Sequence, residues 1–186
     1  RPDEGTLVAA ALAEASGGYA QLAWSAQAAQ FPGLDLTAIG AHCCAADDGP
    51  HSWRHAVVLE TQDATVAGVM LACAAAEIPL PAVVTDAQGL DLCAPVRMQL
   101  AGSWCVGGMT IFPAWRNYGL GHRLLVQAYM QARAAGCGQI SLIAFERNPA
   151  TRLYQREGFV IAERRPIVPH PLLAYGGDVL LMVRTL

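Results

Sequence analysis

The spacing of hydrophobic residues divides the chain into a helical opening and a longer region dominated by strands. Apolar residues recur at helical intervals in the first fifty residues. The pairs Gly17-Gly18 and Pro32-Gly33 interrupt this pattern, as expected at helix ends. The predicted helices cover residues 4–15, 19–30 and 35–46.

From residue 55 the pattern becomes that of β-strands. The runs HAVVLE (55–60) and TVAGVMLACA (65–74), separated by TQDA, predict an antiparallel hairpin. Residues 75–95 are rich in Pro, Ala and Asp and predict a loop with short edge segments. Further strands are predicted at 103–112, 139–145, 159–167 and 178–186.

Two more helices are predicted among these strands, over residues 119–136 and 148–158. The second carries signals at both ends: Asn148 as N-cap, Pro149 at the first position and Gly158 after the last turn. The order of elements predicts a mixed α/β (α+β) sheet, with one parallel crossover through the first of these helices.

Composition narrows the class of protein. With 186 residues, of which 54% are hydrophobic and 15% charged, the chain is expected to fold as one domain, 1–186. A net charge of −3 argues against a nucleic-acid partner. All twelve basic residues are arginine, which excludes Schiff-base, P-loop and general-base lysines.

The cysteines and the N-terminal stretch predict a cytoplasmic location. The six cysteines form no CxxC pair, and we expect reduced, mostly buried thiols. The apolar stretch LVAAALAEA is too short to span a bilayer and lacks the basic flank of a signal peptide. We therefore expect no membrane association.

Glycines precede the helix predicted at 119–136. Gly119 and Gly121 lower helix propensity, yet they let an anion approach the free N–H groups of a helix N-terminus. Asn117 tolerates a left-handed conformation, and Arg116 and Arg123 add positive charge. This combination favours a phosphate or pyrophosphate site, and a plain turn is the alternative.

A second glycine pair, Gly107-Gly108, lies inside the preceding strand. Glycine there is typical of a bulge or of the close approach of a ligand or another backbone. A ligand lying along the strand, with its phosphates on the next helix, explains both pairs of glycines. Tight packing against the long helix is the alternative.

These segments resemble the GNAT superfamily of N-acetyltransferases. Arg116-Asn117-Tyr118-Gly119-Leu120-Gly121 resembles the acyl-CoA loop of that family, Arg/Gln-x-x-Gly-x-Gly/Ala. NPATRLYQREGF (148–159) resembles its Asn-x-x-Ala-x-x-x-Tyr-x-x-x-Gly-Phe motif, with the alanine displaced by one position. The resemblance extends from about Trp53 to the C-terminus, and residues 1–50 correspond to the variable helical opening of the family.

The resemblance implies a mostly antiparallel sheet, flanked by helices, whose central parallel strands splay apart to admit acyl-CoA. It implies acetyl-CoA or another acyl-CoA as co-substrate, no metal, and a small-molecule amine or peptide as acceptor. Tyr154 is the implied general acid for the departing thiolate. The implied cofactor-binding residues are Met109, Thr110, Ile111, Arg116, Asn117, Tyr118, Gly119, Leu120, Gly121, His122 and Asn148.

The chain also departs from the family pattern. Asn117 and Tyr118 stand where many family loops have a glycine and a second basic residue, so one expected cation is missing. The strand before the loop has no carboxylate to act as a base. Glu60 and Asp91 are the alternatives, each of which is otherwise a solvated turn charge, and a water-mediated path is equally compatible.

Other candidate residues remain open. His42, Cys43, Cys44, His51 and His55 are metal-capable, but their spacing matches no standard zinc pattern. An acceptor pocket or the core would use Trp24, Phe31, Trp53 and Tyr175. The long connection 164–177 is a candidate lid on the substrate side.

Three functions follow from these features. The first is an acyl-CoA-dependent N-acyltransferase that acetylates a primary amine by direct attack in a ternary complex. The second is a non-catalytic CoA-binding or sensor module with the same fold, and the third is an unrelated phosphate-binding α/β protein. A monomer and a homodimer are both compatible with the sequence.

Overall fold

The computed structural model describes residues 2–47, 51–78 and 80–186. The helices are α1 Pro2–Ala15, α2 Tyr19–Ser25, α3 Leu36–Ala45, α4 Leu120–Ala134 and α5 Ala150–Arg156. The strands are β1 Ala56–Glu60, β2 Val66–Ala74, β3 Trp104–Ile111, β4 Gln139–Phe145, β5 Val160–Pro166 and β6 Asp178–Thr185.

All six strands form one sheet in the order β1-β2-β3-β4-β6-β5. Each neighbouring pair is antiparallel except β3 and β4, which are parallel and joined through α4. The predicted mixed, mostly antiparallel sheet is therefore confirmed, including its single parallel crossover.

The two faces of the sheet are covered by different helices. Alternation along β2 directs Met70 into the core with α4 and α5, whereas Val69 and Leu71 pack with α1 and α3 on the opposite face. On that second face, toward the other end of the sheet, Phe145 packs with Tyr19 of α2. A site between the strands is therefore enclosed by helices on both sides.

The parallel pair separates after a short contact. Pairing between β3 and β4 runs only from Trp104↔Ile140 to Val106↔Leu142, although β3 continues to Ile111 and β4 to Phe145. The register of β3 against β2 shifts at Gly107, which is the extra residue of a β-bulge. A bulge bends the strand that carries it, so β3 leaves β4 at this point and a gap opens.

Two of the helix boundaries in the structure differ from the predicted ones. Helix α2 ends at Ser25, before the predicted Gln30, because the backbone changes there to i→i−3 bonding: the Gln27 N–H donates to the Trp24 carbonyl at 3.0 Å and a 3₁₀ turn follows at Ala28–Gln30. Helix α5 begins at Ala150, whose N–H donates to Asn148 Oδ1 at 2.9 Å. Asn148 therefore accepts from the first turn as predicted, but the N-cap position itself is Pro149, one residue later than predicted.

The Gly17-Gly18 turn has a second role besides ending α1. A Cβ at Gly18 would lie 1.9 Å from the Leu172 carbonyl oxygen, so the turn admits the backbone of the 167–177 connection. The Ala174 N–H donates to the Gly17 carbonyl at 2.9 Å and fastens the two segments. This contact brings the candidate lid against the first two helices.

In the part of the chain that the structure describes, no helix has both the length and the apolar character needed to cross a bilayer.

Candidate functional site

A large cleft follows the gap between β3 and β4. Its volume is about 1250 Å³, and it passes from the N-terminal turn of α4 through the splayed strands to the face covered by α1 and α2. Residues from both central strands line it, including Met109 and Thr110 of β3 and Ala144 of β4. Because these strand segments are not paired with each other, their facing backbone groups are available to a ligand.

The loop before α4 presents a row of free backbone donors to this cleft. Asn117 and Gly119 have positive φ angles of 68° and 75°. Within the described residues, none of the N–H groups of 117–122 has a protein acceptor. Helix α3 differs, because its N-cap Asp35 accepts from the Ala38 N–H at 2.8 Å. The row of donors and the positive end of the α4 dipole together suit an anionic group.

Side chains around the loop hold it in place. The Arg116 guanidinium donates to the Ile111 carbonyl at 3.0 Å and forms an ion pair with Glu14 of α1. His122 Nδ1 lies 2.8 Å from Glu157 Oε1 at the end of α5. The Tyr118 side chain is 72% exposed and does not line the cleft, so the backbone N–H is the part of this residue that belongs to the donor row.

Two arginines on α5, unnoticed in the sequence, also line the cleft. Arg152 and Arg156 are exposed and have no ion-pair partner among the described residues. A Cβ at Gly121 would lie 2.8 Å from Leu153 Cδ2, so α5 packs directly against the first turn of α4. The i, i+4 spacing of these arginines was the available signal, but the sequence alone does not say which helix face meets the loop.

Tyr154 lies on α5 within the core and lines the cleft. It is only 7% exposed, and its ring makes an edge contact with Phe159 at 5.9 Å. Burial raises the pKa of the Tyr154 phenol to about 12. Its hydroxyl makes no hydrogen bond to any described residue, which leaves it able to donate to a ligand.

Neither of the carboxylates considered as a base lies in the cleft. Glu60 is exposed at the end of β1. Asp91 is neither a base nor a solvated turn charge: it accepts from both terminal nitrogens of Arg97 and from the Cys93 N–H, and these hydrogen bonds hold its pKa below the ordinary value. His51 does line the cleft, and burial lowers its pKa, so its imidazole is neutral at pH 7.

The glycine pair in β3 has local causes. Gly107 is the bulge residue, and a Cβ there would meet only ordinary contacts, the nearest being Ile78 Cδ1 at 3.7 Å. A Cβ at Gly108 would lie 2.8 Å from Leu12 Cδ2, so this glycine admits α1. The alternative of tight packing is therefore confirmed for Gly108, but the partner is α1 and not the long helix.

The metal-capable residues near position 42 do not converge. The His42 ring contacts Phe31 at 4.9 Å, and the Cys43 thiol donates to Gln27 Oε1 at 3.5 Å. His55, the last of the five candidates, instead groups with Cys73 and Glu77, and the ligand atoms of these three lie within 4.8 Å of one another. These three donors fall one short of a closed structural zinc site, and burial, followed by the nearby Glu77, raises the pKa of the Cys73 thiol to about 12.

Two of the four candidate pocket aromatics reach the cleft. Trp24 and Tyr175 line it, and Tyr175 stacks on Phe145 at 5.3 Å. Phe31 does not line the cleft, and Trp53 lies beneath the Arg54 guanidinium beside a smaller pocket. Tyr19 also lines the cleft, and no pattern in the sequence distinguishes it from a core residue.

Comparisons with known proteins agree with this geometry. The family model described as acetyltransferase (GNAT) domain matches residues 52–161, more than half of the chain. No curated protein matches the chain.

Solved structures share the fold over the whole chain. A structure described as an acetyltransferase aligns with a TM-score of 0.64 and 16% identity over 100% of this chain and 96% of the other. An N-acetyltransferase from Staphylococcus aureus Mu50 aligns with a TM-score of 0.64 and 15% identity over 99% of this chain and 97% of its own. From the family match, together with the splayed sheet and the loop before α4, we conclude that the chain belongs to the GNAT acetyltransferase family.

Proposed function

We propose that this chain is an acyl-CoA-dependent N-acyltransferase that transfers acetyl from acetyl-CoA to a primary amine within a ternary complex. The observation that carries the proposal is the row of N–H groups at 117–122, which has no acceptor among the described residues and opens into the cleft beside Tyr154. A diphosphate supplies the acceptors that these donors lack.

Two further parts of the chain would hold acetyl-CoA. The backbone of Met109, Thr110 and Ile111 faces the gap in the sheet and would pair with the amide groups of the pantetheine arm. Asn148 lines the opposite side of the cleft, where its side-chain nitrogen is available because only its oxygen caps α5. Together these contacts would place the thioester beside Tyr154.

For direct transfer, the protein would then have to position the amine and assist the movement of two protons. The amine nitrogen attacks the thioester carbonyl, a C–N bond forms and the C–S bond breaks. The sulfur gains one proton and the nitrogen loses one, so no acid or base is consumed overall. Tyr154 would donate to the sulfur, and the neutral imidazole of His51 or a water would accept the proton from the nitrogen.

Binding of acetyl-CoA tests this proposal directly. At a hundred times its dissociation constant, a ligand stabilises the folded state by about 2.7 kcal/mol. For a chain of this size, that corresponds to a rise in melting temperature of roughly 5–10 °C. We expect such a shift in differential scanning fluorimetry with millimolar acetyl-CoA. No shift at that concentration argues against the assignment of the donor row.

A non-catalytic CoA-binding module is the second candidate. It is favoured by the lack of any described carboxylate in the inner part of the cleft, away from α4. Release of free thiol from acetyl-CoA across a panel of amines separates the two functions. An enzyme accelerates release with at least one amine, whereas a sensor binds acetyl-CoA and releases none.

We further propose that residues 1–186 act as one unit. Glu14 of α1 and Trp24 of α2 line the same cleft as the family motifs, so the variable opening completes the site. All six cysteines are free thiols, which fits a reducing compartment such as the cytoplasm.

A further inference from the structure

The half of the cleft away from α4 has its own chemistry. It lies on the face of the sheet covered by α1 and α2, opposite the core that contains Tyr154. We call it the acceptor chamber, lined by Tyr19, Trp24, Ile78, Leu80, Met98 and Tyr175. The gap between β3 and β4 joins it to the side on which α4 and α5 lie.

The carboxylates of the cleft are all at the other end. Among the described residues, only Glu14 and Glu157 contribute acidic side chains to its lining. Glu14 is paired with Arg116, and Glu157 with His122 and Arg184. The acceptor chamber therefore offers no described negative charge to a cationic ligand, and an ammonium group placed there would be desolvated without a partner.

Aromatic rings form one wall of the chamber. Tyr19 and Tyr175 flank Phe145, with ring centroids 5.7 Å and 5.3 Å apart and interplanar angles of 3° and 19°. The connection that carries Tyr175 is fixed by the backbone hydrogen bond between Ala174 and Gly17. The stack is thus a built surface of the fold, suited to a flat apolar group.

Apart from His51, the proposed proton acceptor, the polar side chains described along the chamber are few and mostly occupied. Gln99 Nε2 donates to the carbonyls of Ala75 and Ile78, and Gln27 Oε1 accepts from Cys43. The buried Tyr19 hydroxyl has no partner among the described residues. Because the Tyr19 oxygen is enclosed by protein, the surface that the chamber offers to a ligand is mostly apolar, which suits a ligand with few polar groups.

From these observations we propose that the acceptor is a monoamine with an apolar, aromatic-sized body and no second positive charge. This inference rests on the proposed function and deepens it. A chamber without carboxylates binds the neutral amine in preference to the ammonium ion, and the neutral amine is the nucleophile. Because such an amine would bind in its neutral form, no carboxylate on β3 is needed to deprotonate it before it attacks.

A matched panel of amines tests the inference. We would measure kcat/KM by thiol release at saturating acetyl-CoA for 2-phenylethylamine, hexylamine, 1,4-diaminobutane and spermidine. The kcat/KM values of the two monoamines are expected to exceed those of both polyamines by roughly tenfold or more. The second ammonium group of a polyamine would be desolvated in the chamber without a partner, and this cost amounts to at least that factor. Equal or higher values for the polyamines would overturn the inference.

A charge placed in the chamber gives a second readout. Leu80→Glu adds a carboxylate at a lining residue that is 52% exposed, so the fold should tolerate it. We expect the ratio of kcat/KM for 1,4-diaminobutane to that for 2-phenylethylamine to rise roughly two- to fivefold, as expected for one new ion pair at a half-exposed position. Leu90→Glu is the control, because Leu90 is 54% exposed and lies outside the cleft. An equal change in both variants, or none in Leu80→Glu, contradicts the inference.

The two proposals fail in different ways. If acetyl-CoA does not raise the melting temperature, the acyltransferase assignment falls and the acceptor inference falls with it. If acetyl-CoA binds and polyamines are the better acceptors, only the acceptor inference falls. If acetyl-CoA binds and no amine releases thiol, the sensor function is supported and the acceptor inference is overturned.

Discussion

At the scale of single residues, the proposed chemistry depends on one phenol held in an apolar environment. Burial raises the pKa of Tyr154 from 10.0 to about 12, so the phenol is protonated throughout the neutral and mildly alkaline range. The fold therefore favours the form that donates. The same shift contributes stability that is fully present below pH 10 and is lost as the pH rises through about 12.

Removing this hydroxyl is expected to affect turnover more than binding. Tyr154→Phe should lower kcat by roughly a hundredfold, the lower end of what a general acid contributes, while the dissociation constant of acetyl-CoA changes little. In the wild type, ionisation of Tyr154 should add no alkaline limb to the rate below about pH 11. Steady-state kinetics and calorimetric titration of acetyl-CoA measure these effects.

Tyr129→Phe is the matched control. Tyr129 belongs to the same core, but its hydroxyl lies 3.4 Å from Glu157 Oε2 and it does not line the cleft. Its loss should leave kcat within a few-fold of the wild type. Unchanged kcat in Tyr154→Phe would remove Tyr154 from the mechanism.

At the scale of elements, the start of α4 differs from the start of α3. Asp35 caps α3, whereas Gly119 begins α4 with a φ of 75° and no side-chain cap. The positive φ turns the loop so that successive N–H groups of 117–122 remain open. An uncapped helix start is unfavourable unless a ligand or water satisfies the donors.

Gly119→Ala should therefore impair the donor site. A non-glycine residue at this φ is strained by about 1 kcal/mol, and relief of the strain moves the neighbouring N–H groups. We expect the KM for acetyl-CoA to rise about tenfold with a smaller change in kcat. Chemical denaturation measures the loss of stability separately.

The other end of the same helix provides the control. Gly136 has a φ of 73° and, like Gly119, has open space where a Cβ would be added. Gly136→Ala should lose a similar amount of stability without changing the KM for acetyl-CoA. Equal changes in KM for the two variants would show that the effect is one of stability alone.

The loop over residues 80–98 is organised by one ion pair. Arg97 donates to both carboxylate oxygens of Asp91 and to the carbonyls of Pro81 and Ala82. This pair fixes both ends of the segment that carries Leu80 and Met98 into the acceptor chamber. The loop is thus a wall of the cleft that these hydrogen bonds hold in place.

Asp91→Asn is expected to loosen this wall. Loss of charge-assisted hydrogen bonds should lower the free energy of unfolding by about 1–3 kcal/mol and raise the KM for the amine, with unchanged affinity for acetyl-CoA. Because the folded pKa of Asp91 is lowered, its contribution is present above pH 3.8 and is lost as the pH falls through the lowered value. Urea unfolding at pH 7 and at pH 3 measures both effects.

Asp86→Asn is the control for this change. Among the described residues, half-buried Asp86 accepts hydrogen bonds from the backbone N–H groups of Gln88 and Leu90 alone. Its substitution should leave the KM for the amine unaltered. An equal rise in KM for both variants would mean that the Asp91–Arg97 pair has no special role in the chamber.

At the scale of the whole molecule, the residues proposed to hold acetyl-CoA were recognisable in the sequence, whereas those of the proposed acceptor chamber were not. Gly119, Gly121 and Tyr154 lie in short local motifs whose spacing fixes their geometry. Tyr19 and Leu80 reach the cleft only through packing between segments distant in the chain, and no local period records such contacts. Asp91 resembles a turn charge in the sequence because its partner follows in a loop without periodicity.

The distribution of charge over the molecule compensates for a departure in the loop. The chain carries a net charge of −3, yet the cleft beside α4 contains Arg116, Arg152 and Arg156. Arg116 is neutralised by Glu14, while the two arginines of α5 have no partner among the described residues. Helix α5 therefore supplies the positive charge that Asn117 and Tyr118 do not, and it concentrates a positive field at one mouth of an acidic protein.

Binding of a polyanionic donor should consequently depend on salt. We expect the dissociation constant of acetyl-CoA to rise severalfold between 50 and 500 mM NaCl, since the Debye length, about 10 Å at 0.1 M salt, shortens as salt is added and the attraction between exposed charges weakens. The double variant Arg152→Gln/Arg156→Gln should bind more weakly at low salt and respond less to salt. Arg133→Gln, in the last turn of α4 and outside the cleft, should behave like the wild type. Calorimetric titration at three salt concentrations distinguishes these cases, and an unchanged salt slope in the double variant would place the charge compensation elsewhere.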